Sequence, residues 1–403
     1  MPRRDDAART ARLSGPRGVG RGPRPVPPNV EGMDFDFAAL SRHPDVEADN
    51  LFAVDAADRL LLDEAADAIA ASPGRVAVAG DGYGALTLGA IARHGARGVR
   101  VHQDPLVGER ALARNAARFG LTHAYTQHAL DDDLFADAEV VLLRLPRALD
   151  ALDELAETAA RTVAPGARVF AGGMVKHMTP VMNDVLRRHF GRVDVTHARQ
   201  KARVLIAAEP IRGAATWPRS RVDAETGLTV VAHGAAFAGP AVDIGTRFLL
   251  AHLDDAVPDA AEAIDLGCGT GVLATALCGR RPGIRVLATD QSAAAVASAA
   301  LTAAANGVAD RIRIVRDDAL VDEPEERAQL VVLNPPFHIG AAVHTGLARR
   351  LFRAAGRALV PGGELWTVWN SHLRYRSDLE RLVGPTRQIA RNATFTITAS
   401  RKS

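Results

Sequence analysis

The chain is poor in cysteine, lysine and aromatic residues, and it has no long apolar run. Two cysteines, Cys268 and Cys278, occur in 403 residues. Neither a disulfide framework nor a zinc-ligand spacing can be built from them. A reducing, cytoplasmic setting is therefore expected, and no bound metal. No apolar stretch approaches the roughly 20 residues that cross a bilayer, and the N-terminus lacks the apolar core of a secretory signal. No membrane partner is expected. Aromatic residues make up 4% of a chain that is 47% hydrophobic, so Ala, Val and Leu must fill its cores. Three lysines (Lys176, Lys201 and Lys402) stand among 49 basic residues. Arginine is the better phosphate fork, but a bias toward its codons produces the same skew. The net charge is +2, so any argument for a nucleic-acid partner has to be local.

Residues 1–35 are rich in Arg, Pro and Gly and short of large apolar side chains; this segment is expected to be disordered. Beyond it the chain reads twice. Val76-Ala77-Val78-Ala79 runs into Gly80-Asp81-Gly82-Tyr83-Gly84, as Ala263-Ile264-Asp265-Leu266 runs into Gly267-Cys268-Gly269-Thr270-Gly271. Gly80 recurs at Gly267 and Gly120 at Gly307, a shift of 187 in both cases. Val140-Val141-Leu142-Leu143 and Leu330-Val331-Val332-Leu333 follow at matching places. Strands that alternate with helical patterns imply βαβ units around a parallel sheet. The expected fold is α/β, with two tandem Rossmann-like domains arising from an internal duplication. The first spans residues 36–212 and the second 213–403, with a hairpin around Gly227 opening the second.

A strand that ends in Gly267-x-Gly269-x-Gly271 and feeds a helix presents backbone amides to a ligand. A dinucleotide site prefers its third glycine one position later, where this chain has Val272. The shorter spacing favours S-adenosyl-L-methionine. Asp290 ends the second strand, where a carboxylate accepts from ribose hydroxyls. Asp265 suits the methionyl ammonium, through water, and Asp317 or Asp318 the adenine amine. Each of these Asp residues also serves as an ordinary strand-end cap or turn residue. Cys268, inside the loop, reads as a small residue and not as a nucleophile.

Asn334-Pro335-Pro336-Phe337 ends a strand 67 positions after Gly267. An amine conjugated to a planar ring has no free lone pair. Two acceptors aimed at its hydrogens, the Asn334 side-chain oxygen and the Pro335 carbonyl, draw it toward a methyl donor. Pro335 and Pro336 stiffen the turn, and Phe337 offers a stacking face. This is the pattern of a class I methyltransferase acting on an amine.

At these residues the chain resembles the two-domain bacterial ribosomal RNA guanine-N2 methyltransferases. The resemblance runs from about residue 50 to the C-terminus. It includes Gly84-Ala85-Leu86, Lys201-Ala202-Arg203, Phe237, Asp243-Ile244-Gly245-Thr246-Arg247-Phe248 and Asn370-Ser371-His372-Leu373. Members that modify large-subunit RNA are the most similar, with the small-subunit enzymes next. The resemblance implies that Asp243, Gly245 and Thr246 lie beside the methionyl end of the cofactor. Departures fall at Ser371 and at Ile339-Gly340, near the base pocket.

The first copy lacks the chemistry of the second. Val78 stands at the Asp265 position, and Arg144 and Leu145 stand at Asn334 and Pro335. Gln103, or Asp104 after a gap, stands at Asp290. A catalytically silent first domain is expected. Residues 161–221 hold 12 Lys or Arg against three Asp or Glu, and residues 340–403 hold 11 against three. Arg187, Arg188, Arg199, Lys201 and Arg203 are therefore candidates for a grip on ribosomal RNA or a ribosomal subunit precursor. Solvated helix faces in an Arg-rich chain account for the same counts. The expected protein is a monomer. The alternatives are methylation of a protein glutamine or a small-molecule amine, or a non-catalytic RNA-binding assembly factor.

Overall fold

A strand that is apolar at every position belongs inside a sheet covered on both faces. Val76-Ala77-Val78-Ala79 meets this description, and it forms the fully buried central strand β1 (Val76–Ala79). A computed structural model describes residues 35–48, 50–335 and 341–403, with the backbone alone at 341–345. The tail expected to be disordered, up to residue 34, lies outside the described residues, as do Pro336 and Phe337.

The first half continues with β2 (Val99–His102), β3 (Tyr125–Gln127), β4 (Val140–Arg144), β5 (Arg168–Met174), β6 (Phe190–Val195) and β7 (Ala202–Pro210). Its helices are α1 (Ala56–Ala71), α2 (Ala85–His94), α3 (Leu106–Arg118), α4 (Asp132–Phe135), α5 (Leu149–Thr162) and α6 (Val181–His189). A hairpin follows, β8 (Arg219–Val222) paired with β9 (Thr229–Ala232). The second half carries β10 (Glu262–Leu266), β11 (Arg285–Asp290), β12 (Ile312–Arg316), β13 (Ala328–Leu333), β14 (Leu359–Asn370), β15 (Thr386–Arg391) and β16 (Phe395–Arg401). With them come α7 (Ile244–Leu250), α8 (Val272–Arg280), α9 (Ala293–Ala305), α10 (Ala341–Ala358) and α11 (Arg376–Leu382).

The two seven-stranded sheets have the same order. One is β3-β2-β1-β4-β5-β7-β6, the other β12-β11-β10-β13-β14-β16-β15. In each, the first five strands are parallel, and the strand before the far edge runs antiparallel to both neighbours. Two α/β Rossmann-like units are thus present, as the repeat predicts, and residues 34–403 form one compact unit.

Register fixes the correspondence between the halves. Ala79 lies opposite His102 and Leu143, and Leu266 lies opposite Thr289 and Leu333. Val78 therefore matches Asp265, Gln103 matches Asp290 with no gap, and Arg144 matches Asn334. The two-residue period of a strand sends Ile264 and Leu266 into one core and Ala263 into the other. Asp265 thus projects with Ala263, toward α8.

The segment that joins the halves is clamped in place. Asp150, Asp153, Glu154 and Glu157 fall at i, i+3, i+4 and i+7 on α5 and so share one face. Glu157 accepts from the Thr216 N–H at 2.8 Å, and Asp153 from the Trp217 indole at 3.2 Å and Arg219 at 2.8 Å. Glu154 holds His233 Nδ1 at 2.6 Å and the Gly234 N–H at 2.7 Å. The β9 edge is met by side chains four residues apart along α9 and its C-cap Asn306. Ser298, Thr302 and Asn306 accept from the N–H groups of His233, Val231 and Thr229 at 2.9, 3.0 and 3.0 Å. These links fix the chain's approach to α7, which carries part of the site.

Candidate active site

Each of the three loop glycines after β10 is in the left-handed region, at φ 73°, 52° and 76° for Gly267, Gly269 and Gly271. Side chains other than glycine rarely adopt that conformation. A Cβ on Gly271 would also lie 2.8 Å from the Ala299 Cβ, so α9 packs this closely only against glycine. The bent loop leads into α8 and forms one wall of a cavity of about 410 Å³, within the usual size range of small-molecule sites.

Asp290, at the end of β11, also lines the cavity. It accepts from the Gly269 N–H and the Ser292 N–H, each at 3.0 Å. Burial pushes its carboxyl above the usual range. Asp265 lies beneath the loop and not on the cavity wall. One of its oxygens accepts from the Ala274 N–H at 2.9 Å, and the other is buried with no partner among the described residues. Burial raises this carboxyl to about 7, aided by Asp290 and opposed by the Ala274 bond. Burial, with Asp290 and Asp265, also pushes the Cys268 thiol well above its usual range. Cys268 is thus held protonated, which agrees with its reading as a small loop residue.

The raised Asp265 carboxyl has a consequence for stability. The native state retains this proton between about pH 4 and 7 while the unfolded state has lost it, so the free protein loses stability as pH rises across that window. Asp265→Asn should match the parent at pH 4. At pH 8 it should be the more stable, by up to roughly 4 kcal/mol. Urea unfolding at the two pH values checks this, and equal differences at both would contradict it.

Asp317 and Asp318 both border the cavity, but their surroundings differ. Asp317 spends its two oxygens on the Val321 and Asp322 N–H groups of its own turn, at 3.0 and 3.1 Å. Asp318 is paired through one oxygen with Arg350 of α10, which leaves its other oxygen without a partner among the described residues. The next two residues, Ala319 and Leu320, hold φ of 58° and 56°, a costly backbone for non-glycine residues.

Asn334 and Pro335 close the cavity at the end of β13. The Asn334 amide nitrogen donates to Asp243 Oδ2 and to Thr246 Oγ1, both at 2.9 Å. A carboxylate can only accept, so this contact fixes which way the amide points. The amide oxygen is then left buried with no partner among the described residues. Asp243 is itself held as the N-cap of α7, accepting from Gly245 and Thr246 at 2.9 and 3.2 Å. A Cβ on Gly245 would sit 3.1 Å from Asp243 Oδ2 and 3.4 Å from Asn334 Oδ1. Gly245→Ala should therefore press on Asp243 Oδ2, which holds the Asn334 amide, and cut turnover by about tenfold, the cost of a small displacement at a preorganised group. Full turnover in this variant would show that the close fit of Gly245 against Asp243 is not needed.

The first half shows what the same frame becomes without this chemistry. Asp55 caps α1 as Asp243 caps α7, but its partner is the Arg144 guanidinium, which also pairs with Asp58 at 2.7 Å. Gln103 donates to the carbonyls of Asp81 and Gly82 at 2.7 and 3.2 Å, filling the place where Asp290 faces a cavity. A Cβ on Gly108 would lie 2.8 Å from the Gly82 carbonyl, so α3 presses directly on the loop. Arg144 has only donors, and this copy offers no acceptor at the Asn334 position.

The basic candidates are largely committed to protein partners. Arg187 pairs with Asp184 at 3.2 Å, Arg188 with Asp153 at 3.2 Å, and Arg199 with Glu64 at 3.0 Å. Arg203 lies in β7 with its Nε buried and unpartnered among the described residues. Lys201 is exposed. The sequence reading missed Asp104 and Pro105, which reach the cavity from the first half. The repeat offered Asp104 only as a relic of Asp290, a role that register gives to Gln103.

Two family models match the chain: the RLMG N-terminal domain over residues 31–211 and the methyltransferase small domain over residues 227–399. A ribosomal RNA large subunit methyltransferase G from Pseudomonas fluorescens is 37% identical over 92% of this chain and 99% of its own length. The protein of the same name from Streptomyces coelicolor is 37% identical over 89% of this chain and 96% of its own length. Among solved structures, the T. thermophilus 16S rRNA N2 methyltransferase RsmC, in complex with AdoMet and guanosine, matches with a TM-score of 0.67 at 22% identity. That match covers 85% of this chain and 92% of the other, and it speaks for the shared fold. With its two halves each matching a domain model and 92% and 89% of its length aligned to these two relatives, the chain belongs to the ribosomal RNA large subunit methyltransferase G family.

Proposed function

We propose that this chain transfers a methyl group from S-adenosyl-L-methionine to the exocyclic N2 amine of a specific guanine in ribosomal RNA, with large-subunit RNA as the target. The observation that carries this reading is the Asn334 amide oxygen, buried, unpartnered and fixed in direction by Asp243 and Thr246. A buried acceptor without a donor is costly unless a ligand supplies one.

The cavity suits the cofactor on its own terms. Asp290 would accept from ribose hydroxyls, and the Asp318 oxygen not paired with Arg350 from the adenine amine. The Asp265 oxygen without a partner lies beneath the glycine loop and off the cavity wall, while at Gly267 and Gly269, where no atom lies within 4 Å of an added Cβ, the cofactor would meet bare backbone. When bound, S-adenosylmethionine supplies an electrophilic methyl group. Asn334 accepts one hydrogen of the guanine amine and the Pro335 carbonyl accepts the other. This holds the nitrogen lone pair out of conjugation and toward the methyl group. Pro336 and Phe337 lie outside the described residues; the sequence assigns them the stiffening of the turn and the stacking on the base. No strong general base is required, because the proton becomes acidic as the nitrogen gains its methyl group.

The first half, residues 36–212, reads as a catalytically silent unit that contributes to RNA binding, and residues 213–403 as the catalytic unit. The ion pairs of Arg187, Arg188 and Arg199 direct attention to Lys201 and Arg203 as the RNA-facing cations. Reversing the charge of both should weaken binding to ribosomal RNA and reduce its salt dependence; unchanged affinity would remove this assignment. Among the described residues no helix is long and apolar enough to cross a membrane.

Mapping N2-methylguanosine in ribosomal RNA from cells with and without the gene tests the main reading. One guanine of the large-subunit RNA should lose its mark. Methyl transfer to free ribosomal proteins, with none to deproteinised RNA, would replace it with the protein-amide alternative.

A further inference from the structure

The two halves meet through the same loop. The segment between β2 and α3 in the first half faces the segment between β11 and α9 in the second, and Pro105 and Ser292 form an antiparallel bridge. The Leu106 N–H donates to the Gln291 carbonyl and the Ala293 N–H to the Asp104 carbonyl, both at 2.9 Å. Pro105 and Ser292, Asp104 and Gln291, and Leu106 and Ala293 are equivalent positions of the repeat, each pair 187 apart. The backbone contact is therefore two-fold symmetric, with its axis passing between Pro105 and Ser292.

The side chains break that symmetry. Asp104 Oδ1 accepts from the Ser292 hydroxyl at 2.9 Å and from the Ala294 N–H at 2.8 Å, in the first turn of α9. At the equivalent position Gln291 Oε1 is buried without a partner among the described residues, and Pro105, the equivalent of Ser292, has neither hydroxyl nor N–H. At this repeated pair of positions, side-chain support runs from the silent half to the half with the open cavity. It also ends on the site. Ser292 donates its N–H to Asp290 at 3.0 Å, and Asp290 holds the Gly269 N–H of the glycine loop at 3.0 Å. Asp104 lines the cavity. Arg316 anchors the loop that carries it, donating to the carbonyls of Gln103 and Asp104 at 2.9 and 2.8 Å and pairing with Glu109 at 2.6 Å.

We propose that Asp104 is a positioning residue for the cofactor, supplied by the silent half, which sets the ribose-binding carboxylate of Asp290 through Ser292. This rests on the reading of the cavity as the S-adenosylmethionine site. The Asp104 charge adds to burial in pushing the Asp290 carboxyl up. The carboxylate pair is therefore tolerated for what Asp104 positions, not for its own electrostatics.

The test is calorimetric titration of the full-length protein with S-adenosylhomocysteine, with melting temperatures recorded in parallel. Asp104→Ala should weaken binding about tenfold, the scale of one lost charge-assisted hydrogen bond. Asp104→Asn keeps an acceptor oxygen and should stay within about threefold of the parent, since its bonds to Ser292 and Ala294 survive. Ser292→Ala combined with Asp104→Ala should be no weaker than the worse single variant, because the two act in series. Arg110→Ala breaks the interface ion pair with Asp322, 2.8 Å long and outside this chain of contacts. It serves as a control for loosening of the halves and should leave affinity unchanged.

If the parent binds and Asp104→Ala binds equally well, the inference is overturned. Additive losses in the double variant, or an equal loss in Arg110→Ala, would overturn it too, assigning the effect to interface stability. If the parent itself fails to bind, the reading of the cavity falls and the role of Asp104 falls with it.

Discussion

Asn334→Asp should lower single-turnover methyl transfer to ribosomal RNA by about a hundredfold to a thousandfold, the range seen when one preorganised transition-state partner is removed. The substitution changes almost nothing in volume. It replaces a donor that faces Asp243 at 2.9 Å with a second carboxyl group. Two carboxylates at that spacing cannot both ionise, so they must share a proton or move apart. Sharing a proton keeps one link to Asp243 but loses the amide's donation to Thr246, and moving apart loses both, so the remaining oxygen is no longer held in the direction the amide gives it. Binding of S-adenosylhomocysteine should stay within about threefold of the parent, because the ribose and adenine contacts come from other strand ends. A variant that keeps a tenth or more of parental turnover would remove Asn334 from its acceptor role.

Asp290→Ala should act on the other quantity. Hydrogen bonds to a charged group contribute about 1.5–3 kcal/mol each, and a ribose diol offers two donors. Loss of both predicts an affinity for S-adenosylhomocysteine at least about a hundredfold weaker. The Gly269 and Ser292 N–H groups lose their acceptor as well, so the loop should become less ordered. Turnover at saturating cofactor should recover to a much larger extent than kcat/KM, since Asp290 does not touch the amine. Asp290→Asn keeps one acceptor and should fall between. An unchanged affinity in the Ala variant would place the ribose elsewhere in the cavity.

Much of this site could be read without coordinates, because its determinants are local. A strand, a bent glycine loop and a carboxylate at the end of the next strand lie within a few dozen residues of one another. The repeat made the loss of Asp265 and Asn334 in the first copy visible as Val78 and Arg144. What could not be read depended on partners distant in sequence. The direction of the Asn334 amide is set by Asp243, 91 residues earlier. The difference between Asp317 and Asp318 lies in a turn that engages one carboxylate and in Arg350, on a later helix, which pairs with the other. Arg188 looked like a free cation until Asp153 of α5 was found beside it. The acidic face of α5 was present in the spacing of Asp150, Asp153, Glu154 and Glu157, and it signalled a basic or donor-rich segment packed against it. Asp104 was the hardest case, because its target lies in the other copy of the repeat.

The turn that holds Asn334 also bears on how long the protein keeps its activity. An asparagine ages when the backbone nitrogen of the following residue attacks the side-chain amide, closing a succinimide ring that opens to aspartate. That attack requires a nitrogen that can give up a hydrogen. The nitrogen after Asn334 belongs to Pro335 and carries none. The proline that stiffens the turn therefore also bars the chemical route by which the acceptor amide would become a carboxylate. In this chain spontaneous ageing by that route cannot produce the Asn334→Asp protein, and the variant has to be made by mutation.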